Sequence, residues 1–252
     1  MTDAADFYTG FVADAYAALK SETFDAGRYA AFVREHGEPG LEVGCGDGHP
    51  ILELVAQGLE VDGVDSSPDM IEGARRAARE GGLEVGLHLS RMEDMDLGRR
   101  YRSIYLAGPT FELLPDDATA RRALDAFRLH LAPDGTIMVP LWIPESTPAS
   151  ALGVAREAKD ETGALLRFTA LSEETDVQAR TRRTKVRYER TSPDGSTESI
   201  DRDWLIHWQT PETIRSLAAQ AGLAVRALEP EPAPGSGEMP PGAEFTAYLC
   251  HD

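Results

Sequence analysis

The stretch Leu41-Glu42-Val43-Gly44-Cys45-Gly46-Asp47-Gly48-His49 decides the fold of this chain. Its first three residues predict a short strand, and glycines at alternate positions let the backbone turn tightly and approach a ligand closely. The residues from His49 to Gln57 predict a helix whose N-terminal amides and positive dipole end point at the same place. The plain alternative is a tight strand-to-helix connection without a ligand. A dinucleotide fingerprint would need glycine at His49, so the G-x-G-x-G spacing departs from that pattern.

A second strand, predicted from Leu59 to Val64, leads directly into Asp65. An acid at the carboxyl end of the second strand of a nucleotide-binding α/β fold can accept hydrogen bonds from both hydroxyls of a ribose. The alternative is that Asp65 caps the next helix. Because Ser66 and Ser67 already supply caps, the ribose role is favoured.

The same rhythm of short strands and helices continues along the chain. Strands are predicted at Leu83 to Leu89, Ser103 to Ala107 and Thr136 to Trp142, with helices at Pro68 to Glu80 and Ala118 to Leu131. Strands that alternate with helices imply right-handed crossovers and a parallel sheet covered on both faces. The sequence therefore predicts a Rossmann-like α/β fold.

The two ends of the chain and its middle depart from this rhythm. Helical spacing before residue 37 predicts an N-terminal helical cap, and alternation from Leu165 to Trp208 predicts an inserted antiparallel β layer with a hairpin turn at Ser192-Pro193-Asp194-Gly195. After a helix from Pro211 to Ala221, a final pair of strands joined by a loop adds an antiparallel edge. The predicted fold is thus a mostly parallel seven-stranded sheet with that edge.

Composition limits the partners and the compartment. A formal charge of −18 opposes binding to nucleic acid, and no apolar run approaches the roughly 20 residues that span a bilayer, so no membrane partner is expected. Cys45 and Cys250 are too few for a disulfide framework or a zinc cluster, so no metal is predicted. The range 1–6 lacks a basic region typical of secretory signals. A cytoplasmic location is expected.

Together, these residues resemble the first two motifs of class I S-adenosyl-L-methionine (SAM)-dependent methyltransferases, a strand with E/D-x-G-x-G-x-G followed by a strand-end acid. Further segments resemble the family in order: the turn from Met92 to Leu97, the stretch from His130 to Thr136, Gln209-Thr210-Pro211-Glu212, and Ala221-Gly222-Leu223. The resemblance covers nearly the whole chain. Within the superfamily the sequence is similar to bacterial natural-product enzymes, including the aminosugar N-methyltransferases.

The resemblance implies a transferase of class EC 2.1.1 that uses SAM and moves a methyl group to an O or N atom of a small-molecule acceptor in bacterial secondary metabolism. An amino or nucleotide sugar is one such acceptor. The alternative is a SAM-binding enzyme that catalyses a non-methylating reaction such as a cyclisation. One domain over 1–252 is expected, with a cap at 1–36, a SAM-binding core at 37–143, inserted strands at 145–209 and a closing part at 210–252. A homodimer is possible.

The resemblance also assigns the cofactor residues. The glycine loop would lie along the methionyl part of SAM, Glu42 would face its amino group, and Asp65 would hold the ribose. Arg91 stands where many relatives have an acid that accepts from the adenine amino group; arginine only donates, so that contact is missing or shifts to Glu93. The predicted cofactor-binding residues are Tyr8, Glu42, Gly44, Cys45, Gly46, Asp65, Ser66, Met70, Met92, Glu93 and Leu106.

On the acceptor side, His207 is predicted as the general base, because imidazole is the usual proton acceptor near neutral pH. The plain alternative is a hydrogen-bonded histidine in a strand. Glu112 is a second candidate base or could orient an amine. The predicted acceptor-binding residues are Tyr16, Thr110, Phe111, Trp142 and Trp208. The basic residues between 180 and 190 could grip a phosphate, line a dimer interface, or simply pair with nearby acids on a solvated surface.

Overall fold

The computed structural model describes residues 7–19, 25–160, 162–230 and 239–252. These residues form two compact units: one comprises 25–144 with Trp208–Asp252, and the other comprises the N-terminal helix with Glu145–His207. The two helices of the predicted N-terminal cap fall in different units. No helix in the described ranges is both long and apolar enough to cross a bilayer.

The larger unit is built on a sheet of seven strands: β1 (Gly40–Val43), β2 (Val61–Asp65), β3 (Leu87–Leu89), β4 (Tyr101–Leu106), β5 (Leu131–Trp142), β10 (Leu223–Glu229) and β11 (Glu244–His251). Their order in the sheet is β10-β11-β5-β4-β1-β2-β3. Five strands run parallel, and β11 runs antiparallel to both β5 and β10. This arrangement confirms the predicted mostly parallel sheet with an antiparallel edge.

Helices connect these strands, and their ends are fixed by side-chain caps. The Ser67 hydroxyl accepts from the Met70 amide at 3.2 Å, and Pro68 occupies the first turn, as predicted. Thr210 forms a capping box with Thr213. The helices of this unit are Ala26–His36, Ile51–Ala56, Pro68–Glu80, Asp117–His130 and Pro211–Gln220, with a 3-10 turn at Thr110–Leu113.

One strand is shorter than predicted. Only Leu87–Leu89 of the predicted range Leu83 to Leu89 pairs with β2, opposite Gly63–Asp65. The residues before it follow the Gly81–Gly82 turn and reach the sheet only near its carboxyl edge. An apolar pattern identifies residues that can be buried, but it cannot show how long a neighbouring strand runs beside them.

The smaller unit contains a four-stranded antiparallel sheet of β6 (Ala155–Lys159), β7 (Leu165–Asp176), β8 (Thr181–Thr191) and β9 (Thr197–His207), in the order β6-β7-β8-β9. The helix Phe11–Leu19 contributes Val12, Ala15 and Leu19 to a buried cluster with residues of the sheet, including Val186 and Tyr188. This sheet is the predicted inserted antiparallel layer. Strand β6 was not predicted, because its largely exposed sequence AREAK lacks an apolar face.

The basic residues of β8 divide between the two faces of this sheet, as alternation requires. On the exposed face, Arg187 binds both oxygens of Asp201 at 2.7 and 3.0 Å, and Lys185 lies 3.8 Å from the same carboxylate. Arg182 lies on the opposite face and is buried. These contacts fit the reading in which the basic residues pair with neighbouring acids.

Arg182 and Glu173 form a buried ion pair within the smaller unit. The Arg182 Nε lies 3.9 Å from Glu173 Oε2, and both side chains are only 7% exposed. Glu173 also accepts from the amide and the hydroxyl of Thr147, at 2.9 and 2.5 Å, while Arg182 donates to the carbonyl of Glu145 at 3.0 Å. The pair therefore anchors the segment through which the chain enters this sheet.

Replacing Glu173 with Ala is expected to lower the free energy of unfolding by about 3 kcal/mol, because it removes the carboxylate that faces a buried guanidinium. Urea unfolding followed by circular dichroism measures the change. Glu157→Ala is the matched control: it removes an exposed carboxylate that accepts from Arg167 at 2.6 Å, and it is expected to cost less than about 1 kcal/mol. Equal losses in the two variants would contradict the anchoring role of Glu173.

Candidate active site

The candidate site lies at the carboxyl ends of the parallel strands in the larger unit. Strand β1 pairs with β2 on one side and with β4 on the other, so the strand order changes direction at β1. In open α/β sheets, ligands bind in the crevice outside the strand ends at such a switch point. The predicted glycine loop leaves β1 at this place.

The three glycines of the loop all adopt left-handed backbone conformations. The φ angles are +75° at Gly44, +53° at Gly46 and +101° at Gly48. A Cβ at Gly44 would come within 2.5 Å of the Thr110 side chain, which packs the loop against the segment after β4. A Cβ at Gly46 would meet no described atom within 4 Å. Gly46 therefore presents bare backbone to open space, as a close ligand approach requires.

Asp65 ties this loop to the start of the next helix. Its Oδ2 accepts from the Gly46 amide at 2.9 Å and its Oδ1 accepts from the Ser67 amide at 2.8 Å. Burial raises the pKa of the Asp65 carboxyl, and the hydrogen bonds from these amides oppose that rise. Each carboxylate oxygen has a second lone pair, so Asp65 keeps acceptor capacity for two further donors such as vicinal hydroxyls.

Glu42 is completely buried in β1, just before the loop. Its Oε2 accepts from the Tyr105 hydroxyl at 2.8 Å, while Oε1 receives no hydrogen bond from the described residues. Burial raises the pKa of Glu42 to about 8; the hydrogen bond from Tyr105 opposes the rise and the nearby acids Asp65 and Asp47 add to it. A buried acceptor with an unfilled oxygen fits a donor group delivered by a ligand.

Tyr105 and Tyr29 form a buried aromatic pair beneath the site. Their ring centroids lie 5.2 Å apart with an angle of 22° between the planes. The Tyr29 hydroxyl accepts from the Gly108 amide at 3.1 Å, so the pair joins Glu42 to the segment after β4. Sequence reasoning missed both tyrosines. The only sequence signal was the hydroxyl group of each tyrosine. A pattern that sorts residues only into apolar and polar treats a buried tyrosine like a phenylalanine.

Cys45 packs inside the loop and does not fit the role of a nucleophile. Its side chain is 1% exposed, and burial raises the pKa of the thiol well above its usual range, so it stays protonated. Gly63 of β2 lies directly beneath it: a Cβ there would come within 2.8 Å of the Cys45 sulfur and 3.0 Å of Ile51. His49 at the end of the loop lies 2.7 Å from Glu53.

The residues predicted to border the adenine belong to the same unit. Met70 is buried in the first turn of its helix, and Ser66, Met92 and Glu93 are partly buried. Arg91 lies 3.8 Å from Glu93, whose side chain is 11% exposed. Leu106 ends β4 and is fully buried. Their assignment to the adenine and the sulfonium stays a prediction.

The predicted acceptor residues of this unit follow β4 or end β5. Thr110 donates to the Ala107 carbonyl at 3.0 Å, and Phe111 is buried. Glu112 is completely buried and its Oε1 accepts from the Trp142 amide at 2.7 Å, so this side chain fixes the end of β5. Trp208 is also buried. A catalytic role for Glu112 stays a prediction.

Three predicted site residues lie in the smaller unit. Tyr8 and Tyr16 contact each other edge to face, with centroids 4.9 Å apart. His207 ends β9, is buried, and has its Nε2 3.3 Å from the Arg180 guanidinium. Because a guanidinium only donates, Nε2 is the acceptor if this contact is a hydrogen bond.

The fold and these residues define a Rossmann-like α/β protein with a candidate site at the carboxyl ends of its parallel strands. Comparison with known proteins shows which proteins the chain resembles. Residues 41–135 match a family described as a methyltransferase domain. Over 228 residues the chain is 29% identical to the dTDP-3-amino-3,6-dideoxy-alpha-D-glucopyranose N,N-dimethyltransferase of Streptomyces fradiae. This alignment covers 86% of each protein.

Solved structures agree on the fold. The CcbJ methyltransferase from Streptomyces caelestis superposes with a TM-score of 0.72 at 22% identity, over 99% of this chain and 98% of that one. The SAM-bound amino pentose methyltransferase CalS10 from Micromonospora echinaspora gives a TM-score of 0.68 at 24% identity, over 96% and 97%. The chain thus shares its fold with these methyltransferases, and residues 41–135 match the methyltransferase-domain family.

Asp65→Asn is expected to weaken SAM binding about a hundredfold, because two hydrogen bonds to a charged acceptor contribute about 1.5 kcal/mol each. Calorimetry on the folded variant measures the affinity. Asp62→Asn on the same strand is the matched control, since that carboxylate contacts Arg99 and Tyr101 near the opposite end of β2. Unchanged affinity in Asp65→Asn would remove the ribose role.

Proposed function

We propose that this chain transfers the methyl group of SAM to the amino nitrogen of an aminosugar carried on a nucleoside diphosphate. The observation that carries the acceptor class is the match to the Streptomyces fradiae relative, whose name specifies a dTDP-aminosugar and which is aligned over most of both proteins. A second relative, from Streptomyces venezuelae, is also named as a dTDP-aminosugar dimethyltransferase and is 28% identical over 107 residues. No reported relative supports the alternative of a non-methylating reaction.

The described residues of the larger unit support separate roles in holding different parts of SAM. SAM supplies, when bound, an electrophilic methyl group on a positive sulfonium. Glu42 would hold the ammonium of its amino-acid part, Asp65 the ribose, and the loop at Gly46 would let the backbone approach closely. Holding donor and acceptor in line and excluding water can contribute roughly 7–11 kcal/mol to the rate enhancement.

An amine acceptor must lose a proton before or during attack, because its nitrogen lone pair forms the new bond to carbon. We propose His207 as the group that takes this proton, with Glu112 as the second candidate. Where Arg180 donates to Nε2, it occupies the basic lone pair of His207, so proton acceptance by His207 requires the acceptor amine to replace that contact. The burial of Glu112 and its bond to the Trp142 amide support a positioning role more than a basic one.

The cellular setting is part of this proposal. Cys45 and Cys250 are both free thiols, which supports a reducing compartment such as the cytoplasm. A homodimer stays a prediction.

The acceptor is tested by incubating the purified chain with SAM and a dTDP-3-amino-dideoxyglucose. Mass spectrometry is expected to show the gain of one or two methyl groups, with stoichiometric release of S-adenosylhomocysteine. The same dideoxyglucose nucleotide with a hydroxyl in place of the amine is the control substrate and is expected to stay unmodified. Methylation of the hydroxyl compound alone would contradict the amine acceptor, and turnover of neither would exclude this sugar class.

His207→Ala is expected to lower kcat about a hundredfold or more while leaving SAM affinity unchanged, as loss of a general base does. Single-turnover kinetics and calorimetry measure the two quantities. His251→Ala is the control, because its Nε2 likewise lies 3.3 Å from a polar atom, the Leu131 carbonyl oxygen. Full activity in His207→Ala would remove this residue as the base.

A further inference from the structure

Glu42 is surrounded by groups that oppose its ionisation, with one exception. The titratable groups that act on it are Asp65 at the end of β2, Asp47 and Cys45 in the glycine loop, Tyr29 on the helix Ala26–His36, and Tyr105 on β4. None of these is a cation. Complete burial and two neighbouring acids favour a neutral carboxylic acid, and only the Tyr105 hydroxyl stabilises the carboxylate.

The free oxygen of Glu42 shows what would reverse this balance. Oε1 receives no hydrogen bond from any described residue, although the atom is buried. A cationic ammonium placed against it would supply both a charge-assisted hydrogen bond and the missing opposite charge. The amino-acid part of SAM carries such an ammonium.

We infer that Glu42 is protonated in the free protein, releases its proton to solvent when the ammonium of SAM binds, and that the Tyr105 hydroxyl sets the pH of this exchange. The inference rests on the proposed role of Glu42 toward SAM. In balance, a neutral carboxylic acid and an ammonium become a carboxylate–ammonium pair and one proton in the buffer. The ammonium keeps all its protons. Tyr105 is thus a positioning residue that acts through Glu42.

The structure holds Tyr105 in place for this role. The stack on Tyr29 fixes its ring, and burial holds the pKa of its phenol well above the usual range, so its hydroxyl stays a donor. A hydrogen bond to the ionised carboxyl lowers the pKa of Glu42. Removing the hydroxyl therefore raises that pKa and moves the exchange to higher pH.

The test is calorimetric titration with S-adenosylhomocysteine, which carries the same ammonium, between about pH 6 and pH 8. Below the pKa of Glu42 in the free protein, which is about 8, the Kd of the wild-type protein is expected to fall about tenfold for each unit by which the pH rises. Tyr105→Phe is expected to show the same slope displaced to higher pH. Tyr101→Phe is the matched control, because Tyr101 lies on β4 like Tyr105 and its hydroxyl donates to a different acid, Asp62 on β2, at 2.9 Å. The pH profile of this variant is expected to coincide with wild type.

Proton release is measured directly by repeating the titration at pH 7 in buffers of different ionisation enthalpy. Wild type is expected to release about one proton per bound ligand. Glu42→Gln has no carboxyl proton to release, so any proton change on binding to this variant comes from the ammonium of the ligand. That value is subtracted from the wild-type value. Equal proton release in wild type and Glu42→Gln, or a Tyr105→Phe profile that coincides with wild type, would overturn the inference.

A third measurement needs no ligand. Because the pKa of Glu42 is raised in the folded protein, wild type is expected to lose stability as the pH rises from the ordinary range of a glutamate through about 8. Glu42→Gln is expected to lack this loss in urea unfolding. If the stability of wild type and of Glu42→Gln changed in parallel with pH, Glu42 would not be protonated in the free protein. Failure of S-adenosylhomocysteine to bind at every pH would instead overturn the proposed function, while the unfolding profiles still decide the protonation of Glu42.

Discussion

The site depends on one carboxylate that is held by two backbone amides. Asp65 accepts from Gly46 in the glycine loop and from Ser67 at the start of the next helix, so a single side chain fixes two segments that come from different parts of the chain. The loop itself adopts conformations that only glycine reaches without strain. Without that carboxylate the loop would lose its side-chain contact at Gly46 and keep backbone bonds such as those from the Gly44 and Cys45 amides to the Val64 carbonyl.

The site also concentrates acidic groups where solvent cannot screen them. Glu42, Asp65 and Asp47 all influence one another, and burial disfavours ionisation of the first two. Such an arrangement costs folding free energy, because like charges and desolvation both oppose the ionised forms. In the proposed function, a cofactor that carries a sulfonium and an ammonium would match this charge distribution, and its binding would relieve the cost.

Most of the fold, and the position of the glycine loop and Asp65 at the strand ends, could be predicted from the sequence. The glycine spacing, the acid after β2 and the alternation of strands and helices are local signals, because each reflects a backbone conformation or a buried face. Strand β6 escaped prediction, since AREAK has no apolar periodicity and its strand is defined only by pairing with β7. The link from Glu42 through Tyr105 escaped for a related reason. Hydrogen bonds between distant residues leave no periodic trace along the chain.

Gly63 lies under the sulfur of Cys45, with no room for a methyl group between strand and loop. A side chain at position 63 would press on the Cys45 side chain and also on Ile51 in the helix after the loop. A larger residue there fits only if both neighbours move. The absence of a side chain at one position of β2 therefore sets how closely the glycine loop and the following helix approach the sheet.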